Sequence, residues 1–249
     1  MASVIERLAL RLLLSRPPVR SRHAEPSMLF FVEPDAPSNP SPGLIEIALA
    51  AAQAALKIDL SDVGARIGNG IDLVNIWPGE HYKLLAGLVS VLKPKLIVEI
   101  GTATGSSALT LKKFLPNDGR LVTFDITPWA GYPGTILADT DFADGSLQQY
   151  VDDISQRDVF ARHKPLLTEA DLIFIDAAKD GVQEQLFLDN FETVAFRRAP
   201  ILVFDDIRLW NMLRIWNDIR RSKIDLTSFG HWSGTGMVEW GCSPHPTQA

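Results

Sequence analysis

The chain has 249 residues, a net charge of −6, 46% hydrophobic and 22% charged residues. That is enough chain to bury one sizeable core without a second domain, and the acidic balance argues against a general nucleic-acid binder, which needs concentrated positive charge. One cysteine, Cys242, excludes an internal disulfide and a cysteine-built zinc site, in keeping with a cytoplasmic setting, and no apolar run approaches the roughly 20 residues that span a bilayer.

Met1 to Arg22 stands apart. Val4, Ile5, Leu8, Leu12 and Leu13 share one helical face, while Arg7, Arg11, Arg16, Arg20 and Arg22 supply charge against a single acid, Glu6. Three readings stay open: a helix packing on its own domain or on a second subunit of a homodimer, a helix in weak contact with a membrane surface, and a cleaved targeting segment. Pro17 and Pro18 end any helix there. Glu25 to Gly43, with Pro26, Pro34, Pro37, Pro40 and Pro42, reads as an irregular connection. Leu44 to Lys57 is alanine- and leucine-rich and predicts a helix. Pro78 to Leu92 predicts another, with Pro78 and Glu80 in its first turn and Leu84, Leu85, Leu88 and Leu92 facing a sheet. Residues 1–77 are thus expected to form a helical cap with a proline-rich connection, and 78–249 the main domain.

The stretch from Leu96 to Asp125 organises the rest of the chain. Leu96 to Ile100 is a short branched apolar run, a buried strand interrupted by Glu99. Gly101 and Gly105 flank Thr102 and Thr104, and glycines let a backbone turn sharply and a ligand approach closely. Ser106 to Leu115 has helical spacing. Leu121 to Phe124 is a second strand, closed by Asp125, whose carboxylate can accept two hydrogen bonds from a ribose diol. Strand, glycine turn, helix, strand and acidic tip make half of a doubly wound α/β domain. The turn-rich stretch after Asp125 is longer than an ordinary connection, and Trp129 in it either covers a bound adenine or packs under its own loop.

Leu147 to Asp153 is a third strand candidate, where Asp153 either accepts from an adenine amino group or is a solvated loop acid. Val159 to Leu167 reads as a helix, Ala170 to Asp176 as a strand, Val182 to Phe196 as a helix and Pro200 to Phe204 as a strand ending in Asp205 and Asp206. Leu209 to Arg221 has helical spacing. Leu226 to Trp240 predicts a closing hairpin, LTSF, a glycine turn and MVEW. The fold expected is α/β: a Rossmann-like, seven-stranded, mostly parallel sheet with helices on both faces and an antiparallel C-terminal hairpin.

Three apolar strands therefore end in acids: Asp125, Asp176, and the pair Asp205 and Asp206. In open α/β sheets the ligand lies beyond the carboxyl ends of the strands, so these acids converge on one crevice. Crowded carboxylates call for a cation, and three of them suit Mg²⁺, Mn²⁺ or Ca²⁺. Asp176 could instead cap the next helix, and Asp205 and Asp206 could form a metal-free turn. His81 and His231 could approach the same crevice, although lone histidines are more often structural.

Glu99, the GTATG turn and Asp125 resemble motif I and the following acid of class I S-adenosylmethionine-dependent methyltransferases. FIDAAKD, Phe174 to Asp180, resembles the metal-dependent O-methyltransferases of the catechol and caffeoyl-CoA type. The resemblance implies S-adenosylmethionine held by Glu99, Gly101, Thr102, Gly105, Ser106, Asp125 and Asp176; Trp129 and Asp153 join them as cofactor contacts only on the readings of those residues given above. It further implies a divalent cation on Asp176, Asp205 and Asp206, Lys179 as catalytic base, and a small-molecule hydroxyl as acceptor. The family carries asparagine at the position of Asp206. Lys179 read without the resemblance is a surface lysine at the start of a helix.

Overall fold

The structure, a computed structural model, describes residues 38–68 and 72–241; the helix expected within Met1 to Arg22 and Cys242 lie outside them. Seven strands, β1 (Leu96–Ile100), β2 (Arg120–Asp125), β3 (Leu147–Val151), β4 (Leu172–Ile175), β5 (Ile201–Asp205), β6 (Lys223–Asp225) and β7 (Thr235–Glu239), form one sheet. Their order is β3-β2-β1-β4-β5-β7-β6. Pairings from β3 through β5 are parallel, and β7 runs antiparallel between β5 and β6. The chain goes from β1 outward to β2 and β3, then returns to β1's other side as β4. The gap between β1 and β4 is thus the switch point, where ligands lie in such sheets.

Helices cover both faces. α1 (Pro42–Ala55), α2 (Ser61–Ile67), α3 (Tyr82–Leu92) and α4 (Ser106–Lys113) share a core with Ile97, Leu121, Phe174 and Val203. α5 (Arg157–Leu167), α6 (Gln183–Phe191) and α7 (Met212–Asp218) share the opposite core with Val98, Ile100, Phe124, Ile173 and Phe204. Every residue of β1, β4 and β5 is buried, which is why these strands, Glu99 and the terminal Asp205 aside, read as apolar runs rather than alternations. Ser41 caps α1 through a 3.0 Å bond from Leu44 N–H, with Pro42 in the first turn, the arrangement a helix start favours. Among the described residues no helix is long and apolar enough to cross a membrane.

Several elements differ from expectation for local reasons. α3 begins at Tyr82, not Pro78, because Gly79 is tied into a bridge with His231: Gly79 N–H donates to Gly230 O at 3.0 Å and Trp232 N–H to Gly79 O at 2.9 Å. Glu80 consequently lies ahead of the helix. The hairpin's first arm is Lys223–Asp225, upstream of LTSF. Asp225 Oδ1 accepts from Thr227 N–H at 2.9 Å and Thr227 Oγ1 at 2.5 Å, which turns the chain into a short 3₁₀ segment at Thr227–Phe229. α2 went unanticipated; it is only seven residues long and contains Gly64. α6 stops at Phe191 and α7 spans Met212–Asp218, both shorter than their apolar periodicity.

α1 and α3 approach closely at Gly87, where an added Cβ would stand 2.3 Å from Ala51 O. Alanine gains about 1 kcal/mol of helix propensity over glycine, but a clash with backbone costs about 1–3 kcal/mol or more. The clash wins, because a carbonyl inside a helix has no rotamer through which to retreat. Gly87→Ala is expected to lower the unfolding free energy by about 1–2 kcal/mol, read as a shifted urea midpoint; a rise would show that α1 gives way freely.

Candidate active site

Gly101 leaves β1 with φ 103°. A Cβ there would lie 2.1 Å from Asp176 O, so glycine is required for the turn after β1 to pass against the end of β4. Asp125 pins this turn: its Oδ2 accepts from Thr102 N–H at 2.9 Å and Ala103 N–H at 3.0 Å, and its Oδ1 from Thr127 N–H at 2.9 Å. Thr102 is buried, with its hydroxyl 2.7 Å from Thr123 Oγ1 and 3.0 Å from the Gln149 side-chain amide that donates to it. Gly105 N–H closes the turn on Thr102 O at 2.8 Å, and Ser106 opens α4 with its hydroxyl 3.1 Å from Thr104 Oγ1.

A cavity of about 340 Å³ opens over the turn. Gly101, Asp125, Asp153 and Asp176 line it, as do Ala103, Thr127, Tyr132 and Ala177. Asp153 Oδ1 already accepts from Ser155 N–H at 3.0 Å and Ser155 Oγ at 2.6 Å. Two expected contacts lie elsewhere. Trp129 stacks on Phe142 at 5.1 Å between ring centroids and packs against the α1–α4 core; Tyr132, three residues on, lines the cavity instead. Glu99 points with Ile97 into that same core, at 0% exposure, and so lies under the crevice rather than in it. Thr102, Gly105 and Ser106 shape the turn without lining the cavity.

Beside the cavity, one oxygen from each of Asp176, Asp205 and Asp206 lies within 4.8 Å of the others. Asp176 follows β4, Asp205 ends β5, and Asp206 turns away with φ 59°. Lys179, also at φ 59°, donates from Nζ to Asp176 Oδ1 and stands 3.1 Å from Asp206 Oδ2. Ala103, at φ 43°, is a third non-glycine in this unfavourable region. Such backbone persists where the surroundings over-determine it, and it clusters at functional sites. His231 Nδ1 is 3.1 Å from both Asp205 oxygens, and His81 Nδ1 is 3.3 Å from Asp205 Oδ2. Ser233 Oγ donates to Asp206 Oδ1, and Glu80 Oε2 is 3.5 Å from His231 Nε2.

Neighbouring charges decide the protonation here. Burial would raise Asp205, but His81 and His231 outweigh it and hold its carboxyl far below the usual range. Burial would likewise lower His231, yet bonds to Asp205 and Asp206 carry it up to about 10. Lys179 follows the same pattern: burial opposes its charge, while Asp176 and Asp206 push its pKa above an ordinary lysine's. A depressed Lys179, ready to take a proton, is therefore not what this arrangement holds. Asp176 is raised, by burial first and then by Asp205. The oxygen donors of Asp176, Asp205 and Asp206 fit a hard divalent cation in number and chemistry, and the Lys179 ammonium stands between two of them.

The sequence profile of the O-methyltransferase family matches residues 72–228. That is well over half of the chain, which therefore belongs to this family and is a class I, S-adenosylmethionine-dependent methyltransferase. No curated protein matches it. Among solved structures it is similar to the O-methyltransferase TomG of Streptomyces achromogenes, determined in complex with SAM, at 21% identity over 79% of this chain and 90% of that one, with a TM-score of 0.47. It is also similar to the SAH-bound methyltransferase PaMTH1 of Podospora anserina, at 16% identity over 97% and 99% of the two chains, with a TM-score of 0.49. A methyltransferase from Geobacter sulfurreducens gives 16% identity over 76% and 95%, with a TM-score of 0.49.

Sequence reasoning placed Asp125, Asp176, Asp205, Asp206 and Lys179 at one rim; Asp125 and Asp176 line the cavity, and Asp176, Asp205, Asp206 and Lys179 cluster beside it. It did not find Tyr132, Ser233 or the role of Glu80. Ser233 sits in a terminal segment that matches no pattern, and only its proximity to His231 in sequence hinted at the site.

Glu99 makes a separate prediction. Burial lifts its carboxyl from an ordinary 4.5 to about 7, against the opposing pull of the Ser107 and Thr123 hydroxyls. The folded chain thus holds this proton more tightly than the unfolded chain. The stability this confers is full below about pH 4.5 and is lost as pH rises through about 7. Glu99→Gln removes the ionisation. Relative to the unmodified protein, its unfolding free energy is expected to climb between about pH 4.5 and about pH 7 by up to about 1.4 kcal/mol per pH unit and to level off above that. A difference that stays flat across that range in urea titrations would show that Glu99 ionises normally.

Proposed function

We propose that this methyltransferase moves the S-adenosylmethionine methyl to a hydroxyl of a small molecule with the help of a divalent cation, Mg²⁺ above Mn²⁺ or Ca²⁺. One observation carries the reading: Asp176 lines the cavity and belongs to the carboxylate set beside it, so donor and cation would share a wall. In this reading Asp125 takes the ribose diol, Asp153 the adenine edge, and the Gly101 turn lets the nucleoside approach the backbone. Asp176, Asp205 and Asp206 hold the cation, which supplies a lowered pKa for an acceptor hydroxyl. The sulfonium methyl needs little activation, so the chain's contribution is to hold the two partners in line. Lys179 is the proton acceptor at Nζ once its carboxylates are engaged elsewhere. A homodimer in the cytoplasm completes the picture; Ile45, Leu49 and Leu56, exposed along α1 and its end, offer apolar surface for the dimer.

The cations already present favour a second reading. Lys179, His81 and His231 neutralise much of the acidic cluster, so its stability does not demand a metal, and a metal-independent methyltransferase is consistent with that balance. S-adenosylhomocysteine formation over a panel of hydroxyl compounds separates the two. Loss on chelation with recovery on Mg²⁺ supports the first; turnover unaffected by chelator and by Asp206→Ala selects the second.

Two measurements need no acceptor. Asp125→Ala is expected to weaken S-adenosylmethionine binding by about 1.5–3 kcal/mol, the worth of hydrogen bonds to a charged group; an unchanged dissociation constant in calorimetry would misplace the ribose. Lys179→Met removes the ammonium that competes for the carboxylates. Mg²⁺ affinity is expected to rise by about tenfold or more, since like charges this close repel by more than 1 kcal/mol even in a wet site. A lower or equal Mg²⁺ affinity would put the cation elsewhere.

A further inference from the structure

His81 is, with Glu99 and Thr110, one of three described residues whose buried side-chain polar atoms lack a hydrogen-bond partner. It is 3% exposed, and neither ring nitrogen has a hydrogen-bond partner. A buried polar group left so is destabilising, and natural proteins rarely tolerate one without a reason. The ring is held among Tyr82 at 4.3 Å, Phe174 at 5.3 Å and the edge of His231 at 5.3 Å between centroids. Its Nδ1 faces Asp205 Oδ2 at 3.3 Å without the alignment of a hydrogen bond.

We propose that His81, Asp205 and His231 form a second cation site, one for a nitrogen-preferring divalent transition ion such as Zn²⁺ or Co²⁺. The inference goes beyond the carboxylate set: it shares Asp205 with it but depends on neither Asp176 nor Asp206. One donor atom from each of the three residues lies within 4.8 Å of the others. The imidazole-to-carboxylate spacings of 3.3 and 3.1 Å are those of neighbouring ligands at about 2.0–2.2 Å from one ion. Two imidazoles and one carboxylate select the borderline metals, whereas carboxylates alone suit Mg²⁺ or Ca²⁺.

The surroundings are built to match. The two histidine-bearing segments are laced together by the Gly79–His231 bridge and its flanking backbone bonds, so the ligands are placed before any ion arrives. Glu80 Oε2, 3.5 Å from His231 Nε2, is the outer carboxylate that orients a metal-binding imidazole. An ion here would give the His81 ring the aligned partner it lacks among the described residues.

The test uses the full chain, stripped with chelator, dialysed, and titrated with Co²⁺ in excess Mg²⁺ while calorimetry and the visible Co²⁺ spectrum are followed. The expected result is one equivalent of Co²⁺ bound beside Mg²⁺. His231→Gln and His81→Leu should each weaken Co²⁺ by tenfold or more without weakening Mg²⁺, whereas Asp176→Asn should weaken Mg²⁺ and spare Co²⁺. His231 is the more exposed ligand, so His231→Gln carries the result if His81→Leu fails to fold by circular dichroism. Co²⁺ affinity unchanged in His231→Gln, or Co²⁺ displaced one for one by Mg²⁺, overturns the proposal. Histidine-dependent Co²⁺ binding with no Mg²⁺ binding at all upholds it while removing the Mg²⁺ reading above.

Discussion

Asp205 is a carboxylate at 2% exposure at the end of a strand buried on both faces. An ionised acid there is tolerable only if positive charge stands against it, since desolvation otherwise exceeds what the fold can spare. Much of the site's layout derives from this. His81 comes from the residue ahead of α3 and His231 from the loop before β7, and both converge on Asp205. Those two segments are far apart in sequence, and the sheet order, which sets β7 directly beside β5, lets them meet. The ion pairs and the topology therefore support each other. Removing the histidines would strand a buried charge, and moving β7 would strand the histidines.

The same packing sets the cavity over the glycine turn beside the acid cluster. β1 and β4 are neighbours only because the chain reverses its direction of travel across the sheet, and Gly101 lets the turn after β1 lie against Asp176 O. Asp176 thus has one environment on each side: the cavity over the glycine turn, and the Lys179 ammonium with Asp206 behind it. A methyl transfer requires donor and acceptor in line at contact distance, and fixing that geometry is worth many orders of magnitude in rate. In the proposed reading, a residue shared by both halves would be the shortest way for the protein to set it.

What could be read in the sequence was what parallel sheets impose. β1, β4 and β5 are largely apolar runs because helices cover both faces, and β2, β4 and β5 each reach an acid at the carboxyl end, where ligands lie in such sheets. Gly101 and Asp125 were legible for the same reason, one being required by a close backbone approach and the other standing at a strand tip. The missed features depend on contacts distant in sequence. Pro78 looked like a helix start because the bridge between Gly79 and His231 has no local signature. LTSF looked like a strand because its β-propensity is genuine and Asp225, two residues before Thr227, turns the chain instead. Trp129 looked free to cover a nucleoside because nothing in its neighbourhood reveals Phe142 waiting beneath it.

Lys179 shows how spacing can identify a residue without fixing its state. Three positions after Asp176, it lies where a proton acceptor would be wanted, yet it is held as an ammonium between Asp176 and Asp206. Burial alone would have lowered its pKa; two carboxylates at contact distance reverse the sign. Its readiness to accept a proton therefore depends on what else those carboxylates face. Any positive charge that takes over Asp176 and Asp206 weakens their grip on Nζ and adds its own repulsion, and both effects lower the lysine's pKa. In the proposed reading, proton transfer and cation occupancy would be coupled through the same two side chains, and a Lys179 free to act as a base and a Lys179 locked in an ion pair would be alternative states of one cluster.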